Sequence, residues 1–262
     1  MHLGPTNPDP KREFPAMEIV SIDRDMKVYL GGGCNSIVLM SKDDQKAVVV
    51  DTKCFKGASR LRKEIKAPSI TLINTHFHFD HARGNHLYPE AFVVSGNTNW
   101  KQWDFDTAHS KHPDQVLNPG EETSFMVDDE VVHIVDMGQA HSSNDVVVFF
   151  QNRKLLAAGD LVWVNMHPVL LDDNTNLKSW IACLDKLEKD YDIQTVVPGH
   201  GKVSGKDLLS DMKEYFLSIS QAIGRHDELL ELKRRYKSYS SFPIFGCFNR
   251  TVKFIRKEQA NV

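Results

Sequence analysis

Short apolar runs separated by polar breaks fill most of this chain. Met17 to Ile22, Met26 to Leu30, Ser36 to Met40 and Lys46 to Asp51 read as strands, with Lys42-Asp43-Asp44 as a hairpin turn. Ser59 to Lys66 reads as a helix that Pro68 stops. Ile70-Thr71-Leu72-Ile73 has the composition of a buried strand. Residues 97 to 122 are polar and irregular, with Trp100, Trp103 and Phe105 interleaved, and strand patterning returns over 123 to 158. Leu177, Trp180, Ile181, Leu184 and Leu187 recur at helical spacing, predicting an amphipathic helix over 176 to 189. Ser204 and Asp207 form a capping-box pattern ahead of Leu208, Met212, Tyr215, Phe216 and Ile219, predicting the start of a further helix. Residue matching reveals no internal repeat. Two strand-rich segments, each followed by helices, fit an α/β fold of two sheets packed face to face with helices outside.

The chemistry concentrates in His76-Phe77-His78-Phe79-Asp80-His81, which follows the run ending at Ile73. An extended chain alternates its side chains, so His76 and His78 share one side and Phe77 and Phe79 the other. Asp80 and His81 fall where the chain turns toward a short helix. A chance cluster of surface histidines is the bland alternative, but a strand end so rich in imidazole is costly without a metal. Three more apolar runs lead to polar segments that each carry a metal-ligating type. Val131 to Val135 leads to His141, Leu155 to Ala158 leads to Gly159-Asp160, and Ile193 to Val197 leads to Pro198-Gly199-His200. Ligands on loops at the ends of rigid strands are fixed before a metal arrives.

With these residues in this order, roughly the first 205 positions resemble the metallo-beta-lactamase superfamily. Asn35-Ser36 before one strand and Val48-Val49-Val50-Asp51 at the end of the next add to the likeness. The resemblance implies a four-layer αββα sandwich of two mixed sheets. It implies that His76, His78 and His141 hold one metal, that Asp80, His81 and His200 hold a second, and that Asp160 bridges both. Asp51 would match a carboxylate that braces the hexad loop; capping of the following helix is the competing reading. Arg83 and Asn144 depart from the usual pattern, beside ligand positions and not at them. The expected organisation is a polar segment over 1–16, a metallo-beta-lactamase-like domain over 17–205, and a C-terminal helical extension of the same domain over 206–262.

Five imidazoles and two carboxylates without a thiolate suit two divalent ions, zinc first, with iron or manganese also compatible. Two ions sharing a carboxylate leave a place for a bridging water, whose pKa they lower toward neutrality. Asp80 and Asp160 are the candidate catalytic carboxylates. No Gly-x-Ser-x-Gly turn is present, and this chemistry needs none. The largest group of true metallo-beta-lactamases has a cysteine where this chain has Asp160. The expected activity is therefore hydrolysis of a small ester, thioester or lactone. Persulfide dioxygenases look similar and hold one iron, here through His76, His141 and Asp160. A binding module that kept the fold without catalysis is a third reading.

Composition narrows the setting. The 262 residues are 41% hydrophobic, enough for a large core, and the net charge of -3 points to a small-molecule substrate and away from nucleic acid. Four cysteines at 34, 54, 183 and 247 lack paired spacing and read as free thiols. Neither a signal-peptide pattern nor an apolar run of membrane-spanning length is evident, so a cytoplasmic setting is expected. Seven histidines lie outside the proposed site; His167, in Asn165-Met166-His167-Pro168, could reach the cleft, though His-Pro is also an ordinary turn element. Trp100, Trp103 and Phe105 could wall a substrate pocket or pack a helix onto the sheet. Arg250 and Lys253 resemble the basic pair with which glyoxalase II grips a glutathione thioester, a spacing that is also common on solvated helix faces.

Overall fold

The computed structural model describes residues 16–98, 111–170, 174–241 and 246–260. The first sheet has seven strands in sequence order: β1 (Glu18–Ser21), β2 (Met26–Leu30), β3 (Ser36–Met40), β4 (Lys46–Val50), β5 (Ser69–Ile73), β6 (Phe92–Gly96) and β7 (Gln115–Leu117). Strands β1 to β4 are antiparallel, and β4 to β7 are parallel to one another. The second sheet runs β13-β12-β11-β10-β9-β8, from β8 (Glu122–Val127), β9 (Glu130–Gly138), β10 (Asp145–Phe150), β11 (Leu155–Trp163), β12 (Thr195–His200) and β13 (Ser204–Gly205). Only β11 and β12 pair in parallel there.

Alternation along the strands builds three cores. Val48 and Val50 of β4 meet Val146, Val148 and Phe150 of β10 and Leu155 and Ala157 of β11 between the sheets. The intervening Ala47 and Val49 face outward, where Leu61 of α1 (Phe55–Glu64) and its C-cap residue Ile65 cover them. On the second sheet, Val147, Phe149, Leu156 and Ala158 face outward into a core closed by α3 (Leu177–Asp190) and α4 (Asp207–Ala222). Strands buried on both faces read as continuous apolar runs, which is why β4, β10 and β11 stand out in the sequence. The result is the αββα layering. Beyond α4, which packs on α3, lie α5 (His226–Arg235) and α6 (Phe248–Ala260). Among the described residues, no helix is long and apolar enough to cross a membrane.

Several expectations need correction. Helix α1 begins at Phe55, ahead of the expected Ser59, and ends at Glu64. Gly57 in its first turn hides the start: a Cβ there would lie 1.9 Å from the Gly32 carbonyl oxygen, so close backbone approach and not a break explains this glycine. The capping box does not form. Ser204 pairs with Val196 as part of β13, and α4 starts at Asp207 after Lys206 without a side-chain cap. Residues 97 to 122 contain β7, which has only three residues and sits at the sheet edge. Trp100, Trp103 and Phe105, like residues 1–15, lie outside the described residues.

Candidate metal centre

Side chains from both sheets converge at one end of the sandwich. From the first sheet, β5 delivers Thr75 and His76, and α2 (Phe79–Ala82) follows with His78 as its N-cap residue. That short helix turns Asp80 and His81 back toward the strand, with the His81 and Ala82 amides donating to the His78 carbonyl. Phe77 points the other way and is buried. From the second sheet, His141 sits in the β9–β10 connection, where Thr175 Oγ1 donates to its carbonyl at 2.7 Å. Asp160 and His200 lie within strands β11 and β12, not in loops beyond them as the apolar runs suggested. Ladder irregularity at Ala157/Gly159 lets β11 continue past the run, and Gly159 adopts a φ of +53°.

The structure brings all seven expected residues together in two groups that share Asp160. In the first, His78 Nδ1 lies 2.9 Å from His76 Nε2 and 3.1 Å from His141 Nε2, while Asp160 Oδ2 lies 3.2 Å from His141 Nε2 and 3.8 Å from His76 Nε2. In the second, Asp160 Oδ1 lies 3.2 Å from His81 Nε2 and 3.4 Å from His200 Nε2. Asp80 Oδ2 completes this group at 3.3 Å from His200 Nε2 and 3.9 Å from His81 Nε2. The donor atoms of His76, His78, His141 and Asp160 lie within 4.8 Å of one another, as do those of Asp80, His81 and His200. Gly199 is required here: a Cβ at that position would fall 2.0 Å from Asp160 Oδ1.

The donor set fits cations. His81 Nε2, His200 Nε2 and Asp160 Oδ1 are buried without a hydrogen bond among the described residues. Such atoms are expensive unless something outside the protein satisfies them. Three imidazole nitrogens converging within about 3 Å cannot all hydrogen-bond to one another, but three lone pairs can share one cation.

Charge is strongly coupled across the groups. Burial, with His81 and His78 beside it, pushes the His76 imidazole well below its usual range. Burial also opposes a charge on His81, yet Cys34, Asp160, Asp51 and Asp80 around it hold its imidazole well above that range. Burial would raise Asp160, but His81 and His200 outweigh it and keep the carboxyl well below the usual carboxylate value. Asp80 is lowered too, against burial, by His81 and His200. A proton held at His81 in the metal-free chain would have to leave when a cation takes Nε2.

Asp51 stands behind the hexad. Its Oδ1 accepts from the Thr75 amide at 2.8 Å, and its Oδ2 accepts from Thr75 Oγ1 at 2.8 Å and lies 2.7 Å from His81 Nδ1. The capping alternative fails, because the N-cap residue of α1 is Cys54. Arg83 places its guanidinium over the Phe55 ring at 4.5 Å. Asn144 Nδ2 donates to Asp136 Oδ2 at 2.7 Å, so both departures from the family pattern act beside the ligands.

Other contributors had little or no sequence signal. Thr75, beside the hexad, reaches both Asp51 and His76 Nδ1, the latter at 3.1 Å. Trp163 stacks on His200 with ring centres 4.4 Å apart, and its indole donates to the Asp160 carbonyl. In the sequence it is one more aromatic in an apolar strand. His167 is neither a surface residue nor part of the cluster: it is buried against Tyr215, Tyr239 and Phe248, with Nδ1 2.8 Å from the Tyr215 hydroxyl. Arg250 and Lys253 are exposed on α6. Cys34, Cys54, Cys183 and Cys247 are free thiols, the first three buried.

Known proteins resemble this chain in sequence and in fold. A probable metallo-hydrolase of Methanocaldococcus jannaschii is 24% identical over 204 residues, covering 70% of this chain and 95% of its own length. A metallo-beta-lactamase from Pontibacter korlensis superposes with a TM-score of 0.63 at 22% identity, over 76% of this chain and 98% of that one. A sec-alkyl sulfatase structure covers 93% of this chain but 50% of its own, with a TM-score of 0.69 at 12% identity. These structural likenesses show the fold. The sequence model of the metallo-beta-lactamase superfamily matches residues 29–200, a span that runs from β2 to the last histidine of the cluster. The chain belongs to the metallo-beta-lactamase superfamily, and its His/Asp cluster fits a metal-dependent hydrolase.

Proposed function

We propose that this protein hydrolyses a small ester, thioester or lactone with two divalent ions, zinc being the first choice. The observation that carries the reading is the division of Asp160: one carboxylate oxygen faces His76 and His141, the other His81 and His200. His76, His78, His141 and Asp160 Oδ2 would hold one ion, and Asp80, His81, His200 and Asp160 Oδ1 the other. When bound, such ions supply Lewis acidity, lowering the pKa of water and polarising a carbonyl oxygen. The protein's own groups do the rest. Asp160, ionised and buried, offers negative charge to both positions at once. Asp80, kept ionised by His81 and His200, would accept a hydrogen bond from the attacking water and orient it. Asp51 and Thr75 fix the His81 and His76 rings through their Nδ1 atoms, so each presents Nε2 to the cluster. The surrounding rings of Trp163 and Trp180 pack on His200 and His141 and limit their motion.

The second group of ligands disfavours a single-iron site, since it would leave His81 Nε2 and His200 Nε2 buried and unused. The test is a panel of small esters, thioesters and lactones, assayed with the chelator-stripped chain and again after zinc is restored. Turnover that disappears and returns with metal is expected. Oxygen uptake with a persulfide, and no hydrolysis of any panel member, would overturn the proposal in favour of a dioxygenase.

A further inference from the structure

Behind the second ligand group lies a lysine with no access to solvent. Lys53 is 0% exposed. Lysines are almost never fully buried unless paired. Its ammonium donates to three carbonyls, those of Tyr29 at 2.8 Å, Gly31 at 2.6 Å and Cys34 at 2.5 Å. An ammonium has three N–H donors, so its capacity is fully used. Burial pushes it down to about 8, which leaves it a cation at neutral pH. Its backbone is also unusual. Asp51, Lys53 and Phe55 all adopt left-handed φ values, +59°, +63° and +46°. Such conformations cost energy in residues other than glycine and persist only where the surroundings hold them.

The contacts around Lys53 reach the backbone of Asp80 and His81 and the residues that flank His200. The Tyr29 carbonyl lies near the end of β2, and those of Gly31 and Cys34 belong to the β2–β3 connection, which continues into Asn35. The Asn35 side chain donates to the Pro198 and Gly201 carbonyls at 2.9 and 2.8 Å, and its amide donates to that of Gly199. His200 is thus clamped on both sides. Gly33 packs against Asp80, where a Cβ would lie 3.4 Å from the Asp80 carbonyl oxygen. Thr52, next to Lys53, donates its amide and hydroxyl to the His81 carbonyl at 2.7 and 3.0 Å. His76, His78 and His141 have no such link to this connection among the described contacts.

We infer that Lys53 is a positioning residue for the second ion: its buried ammonium gathers the β2–β3 connection into a rigid strut that sets Asp80, His81 and His200, and leaves the first site alone. This rests on the two-ion reading above. No spacing rule assigns such a role, and substitution by a neutral side chain would leave three carbonyls without their donor.

The test is a competitive zinc(II) titration of the full chain that resolves the first and second equivalents, with melting temperatures measured alongside. In Lys53→Met the first equivalent keeps its affinity and the second weakens roughly 10–100-fold, as loss of groups that orient ligands does. Asn35→Ala retains the ammonium but removes the two side-chain bonds to the carbonyls on either side of His200, and is expected to show the same selective loss. If Lys53→Met does not fold, Asn35→Ala decides the matter alone. Equal weakening of both equivalents, or an unchanged second one, overturns the inference. A wild-type chain that takes one ion only overturns the two-ion reading and this inference with it, and is distinguished by the wild-type titration.

Discussion

Asp51→Asn separates a metal-organising role from a merely stabilising one. The carboxylate receives the Thr75 amide, the Thr75 hydroxyl and the His81 imidazole through its two oxygens. An asparagine keeps the side-chain shape and tolerates the left-handed φ of +59°, so the backbone should not rebuild. It offers one carbonyl oxygen in place of two acceptors and removes the charge. Its amide must then face donors, and the bond to His81 loses its charge assistance. A hydrogen bond to a charged group contributes about 1.5–3 kcal/mol, against about 0.5–1.5 for a neutral one. That difference, about 1–1.5 kcal/mol, is roughly tenfold in affinity at about 1.4 kcal/mol per factor of ten, the lower end of the 10–100-fold weakening expected when a ligand loses its orienting partner. Zinc titration against a competing chelator, with melting temperatures of stripped and loaded protein, measures both effects. Unchanged zinc affinity together with a lowered melting temperature would refute the reasoning and leave Asp51 with a purely structural role.

Three further outcomes follow from the same geometry. Gly199→Ala pushes a methyl group to 2.0 Å from Asp160 Oδ1 and 2.8 Å from the Gly159 backbone, so it should displace Asp160 and bind fewer zinc ions, checked by elemental analysis with circular dichroism to follow the fold. Trp163 stacks on His200 at 4.4 Å and lies 6.0 Å from His141, so its fluorescence should change more when the second ion binds than when the first does; an identical response to both equivalents would count against the stacking argument. Asp136 is raised from 3.8 to about 6, first by burial, so its contribution to stability is full below pH 4 and is lost as pH rises through about 6. Asp136→Asn escapes that loss. The melting-temperature difference between variant and wild type should shift in favour of the variant from pH 5 to pH 8, and a flat difference would contradict the assignment.

The sequence was most legible where chemistry and periodicity agree within a few residues. His76 to His81 packs four metal-ligating side chains behind an apolar strand, and no ordinary core or surface needs that combination. Strands β4, β10 and β11 were legible because burial on both faces writes an uninterrupted apolar run. Their limits were less so: Gly159-Asp160 reads as a loop, yet β11 runs on to Trp163. Local rules failed where a tertiary contact took the same residues. Ser204 could have capped α4 but is used by the β12 ladder, and Gly57 looks like a breaker but makes room for Gly32. Lys53 was not legible at all. A charged residue just after a strand reads as solvated, and only the folded end of β2 and the β2–β3 connection supply the three carbonyls that bury it.

The central claim is that Asp160 joins two ions in one cluster, and metal counting on the wild type and Asp160→Ala tests it most directly. Chains purified without added metal, reloaded with zinc and freed of excess are analysed for metal per polypeptide, with circular dichroism to verify the fold. The account predicts two ions per wild-type chain and a loss of at least one in the folded variant. A single ion per wild-type chain, or a folded Asp160→Ala variant that still holds two with unchanged affinity, would contradict it.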